Sequence, residues 1–109
     1  MTWSVKYLPE ALDDLHKLDG SQKLLVRKAI HKVCQNPLPE SEGGYGKPLG
    51  NKNSSQLSGF LKIKLRNAGL RIVYQLVQQD DSLLIIIIGA RADDEVYTLA
   101  NTRIKKHGL

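Results

Sequence analysis

Four basic residues, Lys62, Lys64, Arg66 and Arg71, lie within ten residues of one another. Apolar residues alternate with the first three, so in a β-hairpin the four cations can share one face. From residue 43 to residue 79 the chain has six Lys and Arg residues and no Asp or Glu, although the whole chain has eleven acids. The basic charge is therefore segregated, which predicts a binding site for a polyanion.

The overall composition agrees with an anionic partner. The formal net charge is +5 and the sequence pI is about 9.4, which favours nucleic acid, although a merely soluble protein can carry the same charge. A length of 109 residues predicts a single domain that spans 1–109.

The cysteine content and the apolar runs indicate the compartment. The one cysteine, Cys34, is expected to lie in the core, and a single cysteine is typical of a protein in a reducing compartment. The start of the chain resembles no secretory signal and the longest apolar run cannot span a bilayer, so we expect a cytoplasmic protein without a membrane partner.

Regular elements must position the basic cluster. A first strand is predicted from apolar residues that alternate with polar ones, namely Trp3, Val5 and Tyr7. Leucines at helical spacing then predict a helix from Pro9 to Leu18, with Gly20 as its C-terminal cap. Ser21 is predicted to cap a second helix, which ends at Asn36-Pro37. The two helices form a hairpin with a basic exterior.

The segment from residue 36 to residue 56 is rich in Pro, Gly, Ser and Asn, so no regular element is predicted there. It supplies Lys47 and Lys52, which can reach an anion held by the following strands; a solvated connection is the alternative.

A hairpin follows, from Leu57 to Gln78. The pairing that best separates basic from apolar side chains in it places Arg66 opposite Arg71, Lys64 opposite Val73 and Lys62 opposite Gln75.

The rest of the chain predicts a buried strand and a final helix. Every residue from Leu83 to Ile88 is apolar, as in a central strand that is covered on both faces. Gly89 ends this strand and Arg91 follows it. Asp93 or Asp94 can cap the last helix, whose apolar residues are Val96, Leu99, Ala100 and Ile104.

The predicted order is strand, helix, helix, three strands and a helix. This is an α+β fold with a mainly antiparallel sheet and an N-terminal helical hairpin packed on one face. The order, together with the runs LKIKLRNAGLRIVYQL and GARADDEVY, resembles the RelE toxins of bacterial toxin–antitoxin systems over nearly the whole chain. The specific part of the resemblance is the joint presence of five residues in these motifs: Lys62, Lys64, Arg71, Arg91 and Tyr97.

The resemblance implies a metal-independent endoribonuclease that needs no cofactor and cuts mRNA in the ribosomal A site. Its implied partners are the ribosome, mRNA and a cognate antitoxin.

The resemblance also implies roles for individual residues. It assigns the proton transfer to the region of Lys62 and Lys64, and phosphate stabilisation to Arg71. Arg91 is expected to stabilise the phosphate or protonate the leaving group, and Tyr97 to orient the nucleotide. Lys47, Lys52 and Arg66 are the expected additional RNA contacts.

The residue types support this chemistry independently. Attack by a 2′-hydroxyl requires a base, stabilisation of charge at phosphorus and an acid for the leaving oxygen. The histidines, His16, His31 and His107, fall on the helices or near the end of the chain, so histidine is not the expected catalyst. Divalent ions prefer carboxylates, which the basic segment lacks, so no metal site is predicted. Because neighbouring cations disfavour protonation of a lysine, Lys62 or Lys64 can take the proton.

Two alternative functions remain open. The related ParE branch shares the fold but poisons gyrase and lacks this catalytic set, and a non-catalytic RNA-binding protein keeps the same basic face. The residues also have structural alternatives: strand lysines discourage aggregation, Tyr97 can serve only to pack the last helix, and Arg71 can form a surface ion pair.

The chain departs from the RelE pattern at one place. That pattern usually carries an arginine before the lysine-bearing strand, where this chain reads LGNKNSSQLSGF. Lys47 or Lys52 can supply that charge.

Overall fold

The computed structural model describes residues 3–48, 60–90 and 93–109. Five strands and three helices make up the described fold. In chain order they are β1 (Ser4–Tyr7), α1 (Pro9–Lys17), α2 (Gly20–Val33), β2 (Lys47–Pro48), β3 (Phe60–Leu65), β4 (Leu70–Val77), β5 (Ser82–Gly89) and α3 (Asp93–Lys106). Short 3-10 turns at Glu40–Glu42, Arg66–Ala68 and Gln78–Asp80 connect some of them. None of the described helices is long and apolar enough to cross a membrane.

The strands form one sheet in the order β1-β5-β4-β3-β2. Only β1 and β5 pair in parallel among the described strands, and the other neighbours are antiparallel. The apolar strand β5 lies inside the sheet, and Leu83, Ile85, Ile86, Ile87 and Ile88 are all buried. The predicted α+β fold with a mainly antiparallel sheet is therefore confirmed, as is the interior position of this strand.

Both faces of the sheet are covered. On one face α3 packs over the end of β5, because a Cβ added at Gly89 would meet Val96 Cγ2 at 3.5 Å. Val73 pairs with Ile87 on this face, and both side chains are buried. On the other face the Tyr74 hydroxyl donates a hydrogen bond to the carbonyl of Pro37, just beyond α2 (2.7 Å). The face that carries the basic residues therefore also has buried apolar side chains.

The predicted helix caps between α1 and α2 are wrong. Gly20 and Ser21 belong to α2, and Asp19 is its N-cap. The Asp19 carboxylate accepts hydrogen bonds from the Gln22 backbone N–H and from the Ser21 hydroxyl (both 2.8 Å), while the Gln22 side chain accepts from the Asp19 N–H (3.3 Å). This reciprocal capping box satisfies more of the free N–H groups than Ser21 alone could. Leu18 consequently ends α1.

The predicted register of the β3–β4 hairpin is wrong by two residues. The observed pairs are Lys62 with Val73, Ile63 with Ile72, Lys64 with Arg71 and Leu65 with Leu70. The turn begins one residue earlier than predicted, because Arg66–Ala68 form a 3-10 turn that Gly69 closes at φ +67°. A shift of two residues keeps the side chains that remain in the two strands on their predicted faces. Arg66 consequently lies in the turn and has no partner strand residue.

The segment after α2 is more regular than predicted. Within its described part, up to residue 48, it has the 3-10 turn Glu40–Glu42 and the short strand β2. A two-residue strand that contains a proline gives no alternating pattern, which is why the sequence did not reveal it. β2 nevertheless adds an edge strand to the sheet by pairing with β3.

Candidate functional site

Two strands hold the core of the basic cluster. Lys64 on β3 lies directly opposite Arg71 on β4, and Lys62 lies one pair further along the same face, opposite Val73. Side chains of directly opposed residues start about 5 Å apart. All three basic side chains are partly exposed. Lys64 and Arg71 can therefore reach the same phosphate group from two strands.

The short edge strand extends this cluster. Lys47 on β2 pairs with Lys62 on β3, so the two side chains lie next to each other on one face. The structure thus brings Lys47, which was predicted only as an outlying RNA contact, to the side of Lys62. Three neighbouring strands now contribute cations to one surface.

The final helix adds an aromatic ring. The Lys62 ammonium lies 5.4 Å from the centroid of the Tyr97 ring, which is within the range of a cation–π interaction. Tyr97 is partly buried against the core, and its neighbour Val96 is fully buried. Packing of Val96 near Gly89 therefore fixes the first turns of α3 and with them the ring of Tyr97. We call the surface formed by Lys62, Lys64, Arg71 and Tyr97 the basic site.

Arg66 lies at the rim of the basic site. It is exposed in the turn after β3 and lines a shallow surface depression together with Lys64, Gly69 and Arg71. Two other predicted residues, Arg91 and Lys52, lie outside the described residues. The stretch in which the RelE pattern carries its additional arginine lies outside them too, apart from Phe60.

A second group of contacts supports the strand that carries Lys47. The Tyr74 hydroxyl is buried beneath the loop, and desolvation raises the pKa of Tyr74, so that it stays protonated and donates to the Pro37 carbonyl. Gly46 fits closely against this hydroxyl, because a Cβ there would overlap it. The Gly46 N–H donates to the Leu38 carbonyl (3.0 Å), and the Glu40 N–H donates to the Gly46 carbonyl (2.8 Å). The loop that precedes β2 is therefore fixed by buried contacts.

One aromatic residue was missed by the sequence analysis. Tyr45 precedes Gly46 and keeps 47% of its surface exposed, while the Lys32 ammonium lies 5.1 Å from its ring centroid. The signal was a tyrosine inside the glycine-rich run GGYGK. Such a run predicts a turn but does not show whether the ring packs inward or outward.

The histidines, which are the most frequent general acids and bases in enzymes, lie elsewhere in the described structure. His16 and His31 are exposed on α1 and α2, and His107 contacts Glu10 (2.9 Å). Within the described ranges, no group of three or more His, Cys, Asp or Glu residues is placed to hold a metal ion. The groups that the described residues bring together at the basic site are thus ammonium, guanidinium and phenol groups.

Known proteins resemble the chain over nearly its whole length. Residues 5–95 match the family model for the ParE toxin of type II toxin–antitoxin systems. A RelE-like toxin protein of Escherichia coli is 32% identical over 96% of this chain and 100% of its own length. The mRNA interferase toxin RelE of Escherichia coli K12 is 29% identical over 95% of this chain and 99% of its own length.

Solved structures give the same relationship. A mutant of the Escherichia coli toxin RelE in the free state has a TM-score of 0.73 and 27% identity, covering 95% of this chain and 99% of that one. The same toxin mutant in complex with a peptide of the antitoxin RelB has a TM-score of 0.69 and 26% identity, covering 92% of this chain and 95% of that one. The chain therefore belongs to the RelE/ParE family of toxins from type II toxin–antitoxin systems.

Proposed function

We propose that this toxin is an endoribonuclease that cleaves mRNA in the A site of the ribosome and so inhibits translation. The observation that carries the proposal is the arrangement of Lys64 opposite Arg71, with Lys62 between Lys47 and the ring of Tyr97. This surface offers positive charge for a phosphate and an aromatic ring for a nucleotide. The relatives that are named mRNA interferases support the same reaction.

The proposed reaction is attack of a 2′-hydroxyl on the adjacent phosphorus, with loss of the 5′-oxygen of the next nucleotide. Lys62 or Lys64 takes the proton of the 2′-hydroxyl, and Arg71 stabilises the charge that develops on the phosphate. Tyr97 orients the nucleotide next to the Lys62 ammonium. Arg91 either stabilises the phosphate or protonates the leaving oxygen, as the resemblance implies.

The side chains at the basic site favour a lysine as the base. Arginine keeps its proton in proteins, so Arg71 can serve only as an electrostatic group. Lys64 pairs with Arg71 across the two strands, so that a base and an electrostatic group can act on the same phosphate. We propose that the reaction needs no metal ion, because phosphate charge is met by guanidinium and ammonium groups.

We further propose a cognate antitoxin as a partner, since relatives have been solved as RelE–RelB complexes. mRNA and the ribosome are the other proposed partners. The proposal treats residues 1–109 as one toxin domain that acts in the cytoplasm. Lys47, Lys52 and Arg66 are proposed as further RNA contacts around the basic site.

The decisive experiment maps RNA ends after the purified protein is added to ribosomes stalled with a defined A-site codon. Wild-type protein is expected to cut the A-site codon and to leave naked mRNA intact. Tyr97→Ala is expected to cut poorly. Intact mRNA in the wild-type reaction would refute the proposal.

Gyrase inhibition is the second candidate, because the matching family model is that of ParE. It predicts that the protein blocks DNA supercoiling by purified gyrase while mRNA stays intact. The two candidates are separated by running both assays on the same preparation. Loss of supercoiling that persists in Lys64→Met would favour gyrase, because that toxin activity does not need the lysine.

A further inference from the structure

We propose that Tyr45 and Lys32 form a separate subsite that stacks an unpaired base of the RNA, next to the basic site. The inference deepens the proposed RNA-cleaving function and rests on it. Tyr45 is a large aromatic residue with 47% of its surface exposed. Aromatic side chains of this kind are the usual platforms on which proteins stack unpaired bases.

The backbone that carries the ring is held by several contacts. The Tyr45 N–H donates to the Asn36 carbonyl (2.9 Å), and the Asn36 side chain donates to the Gly43 carbonyl (3.2 Å). The next residue, Gly46, fits against the buried Tyr74 hydroxyl so closely that it has no room for a side chain. A loop held in this way loses little backbone freedom when a ligand binds to the ring.

A cation accompanies the ring. The Lys32 ammonium lies 5.1 Å from the ring centroid, much as the Lys62 ammonium lies 5.4 Å from that of Tyr97. The described part of the chain thus has two lysine–tyrosine pairs. The cation polarises the electron-rich ring and can also contact a base or a sugar.

Chain connectivity limits the distance between Tyr45 and the basic site. Tyr45 is two residues from Lys47, so their Cα atoms are separated by at most about 7 Å. Lys47 is in turn the cross-strand neighbour of Lys62. A strand of RNA held at the basic site therefore needs to continue only a short way across Lys47 to bring a neighbouring base to Tyr45.

The charges around Tyr45 favour a base over a phosphate. Exposed Glu40 and Glu42 lie on the same loop as Tyr45. Carboxylates repel a phosphate, whereas stacking of a base does not depend on net charge. The subsite is therefore expected to add affinity that salt does not remove.

The test measures binding of a short, single-stranded RNA whose 2′-hydroxyls are methylated, so that it cannot be cleaved. Tyr45→Ala is expected to raise the Kd roughly 5- to 100-fold, and Tyr45→Phe, which keeps the ring, to restore it. Tyr45→Ala should leave the salt dependence of binding unchanged, whereas Lys47→Gln should lower its slope by about 0.7. Leu25→Ala is the control, since Leu25 on α2 is equally exposed (46%) and lies outside the subsite.

The outcomes separate the subsite from the proposed function. A Kd for Tyr45→Ala equal to that of the wild-type protein would overturn the subsite, and so would failure of the wild-type protein to bind this RNA. Cleavage on stalled ribosomes is measured in parallel and tests the proposed function alone. Binding that depends on the Tyr45 ring, in a protein that leaves A-site mRNA intact, would support the subsite and refute the nuclease.

Discussion

Asp14 on α1 and Arg103 on α3 form a two-point ion pair, with Nη1–Oδ2 and Nη2–Oδ1 distances of 2.6 and 3.2 Å. The pair also occupies the edge of β5 beyond the end of β1. Arg103 Nη1 donates to the Ile86 carbonyl (3.0 Å), and the Ile88 N–H donates to Asp14 Oδ2 (3.0 Å). Two side chains thus replace the strand that would otherwise satisfy these peptide groups.

This ion pair should be important for stability. Its side chains are only 12% and 16% exposed, so Arg103→Met leaves a largely buried carboxylate without its cation. We expect the free energy of unfolding to fall by about 3–5 kcal/mol. Denaturant unfolding followed by the fluorescence of Trp3 measures the change.

An exposed pair gives the matched control. Lys6 and Asp80 also form a short ion pair (2.7 Å), but their side chains are 58% and 48% exposed. Lys6→Gln should therefore cost less than about 1 kcal/mol. Equal losses in Arg103→Met and Lys6→Gln would contradict the importance of the buried pair.

The catalytic base can be identified by substituting the strand lysines separately. Whichever of Lys62→Met and Lys64→Met removes the base should slow cleavage of A-site mRNA by ~100- to 10,000-fold, the usual contribution of general base catalysis. Single-turnover cleavage over a range of pH measures the rate and shows whether the rise in rate with deprotonation of the base is lost. Lys6→Met removes a strand lysine remote in the sheet order and should cut at the wild-type rate. If both site variants keep the wild-type rate, neither lysine is the base.

Glu10 should make stability depend on acid. A hydrogen bond from its own backbone N–H, the Lys106 ammonium and His107 lower the pKa of Glu10 from 4.5 to about 2. Because the folded-state pKa is depressed, the stabilisation is complete above about pH 4.5 and is lost as the pH falls through about 2. The wild-type protein should therefore exceed Glu10→Gln in stability near neutral pH, and the difference should shrink in acid.

Urea unfolding at several pH values measures this difference. Lys106→Gln keeps the backbone hydrogen bond, which is the largest cause of the shift, so it should remove only part of the effect. A difference between the wild-type protein and Glu10→Gln that stays constant from pH 7 to about pH 2 would contradict the assignment.

Gly46→Ala should destabilise the loop before β2. The added methyl group would overlap the Tyr74 hydroxyl and lie 3.0 Å from the Pro37 carbonyl oxygen. We expect a loss of about 1–3 kcal/mol from this overpacking. Gly20→Ala is the control, because a Cβ there meets nothing within 4 Å and α2 begins at this residue, so its effect should be neutral or stabilising.

A second substitution tests the cause of the Gly46 effect. Tyr74→Phe removes the hydroxyl and by itself should cost about 1–3 kcal/mol, because the Pro37 carbonyl loses its donor. It also makes room for the methyl group that Gly46→Ala adds. The double variant should consequently be more stable than the sum of the two single losses predicts. Simple additivity would mean that the hydroxyl is not the obstacle.

The sequence predicted the features of the fold that depend on strong patterns. The continuous apolar run marked β5, and the alternation around Lys62 and Lys64 correctly placed both on one face. The predicted register of the β3–β4 hairpin was wrong by two residues, because the turn at Arg66–Ala68 sets the register. A shift of two residues leaves the strand side chains on the same faces, so the alternation of basic and apolar residues cannot reveal it. The positions of Arg91 and Lys52 stay predictions, since both lie outside the described residues.

Contacts between distant residues could not be predicted. Nothing in the local sequence pairs Asp14 with Arg103, or Tyr74 with Pro37, because a single chain shows no periodicity across such separations. The two-residue strand β2 was equally invisible, and with it the neighbourhood of Lys47 and Lys62. Tyr45 was missed because a glycine-rich run indicates a turn but not the direction of its ring.

The position of Tyr97 on the last helix has a consequence for biosynthesis. Lys62, Lys64 and Arg71 are translated before α3, and the contact between Lys62 and Tyr97 needs that helix to be docked. The Asp14–Arg103 pair joins residues 89 positions apart, so docking must await nearly the whole chain. We expect a nascent toxin on its own ribosome to be harmless, and the antitoxin to be needed only after α3 has emerged. Pausing translation before codon 97 and testing the stalled chains for mRNA cleavage would show whether this is so.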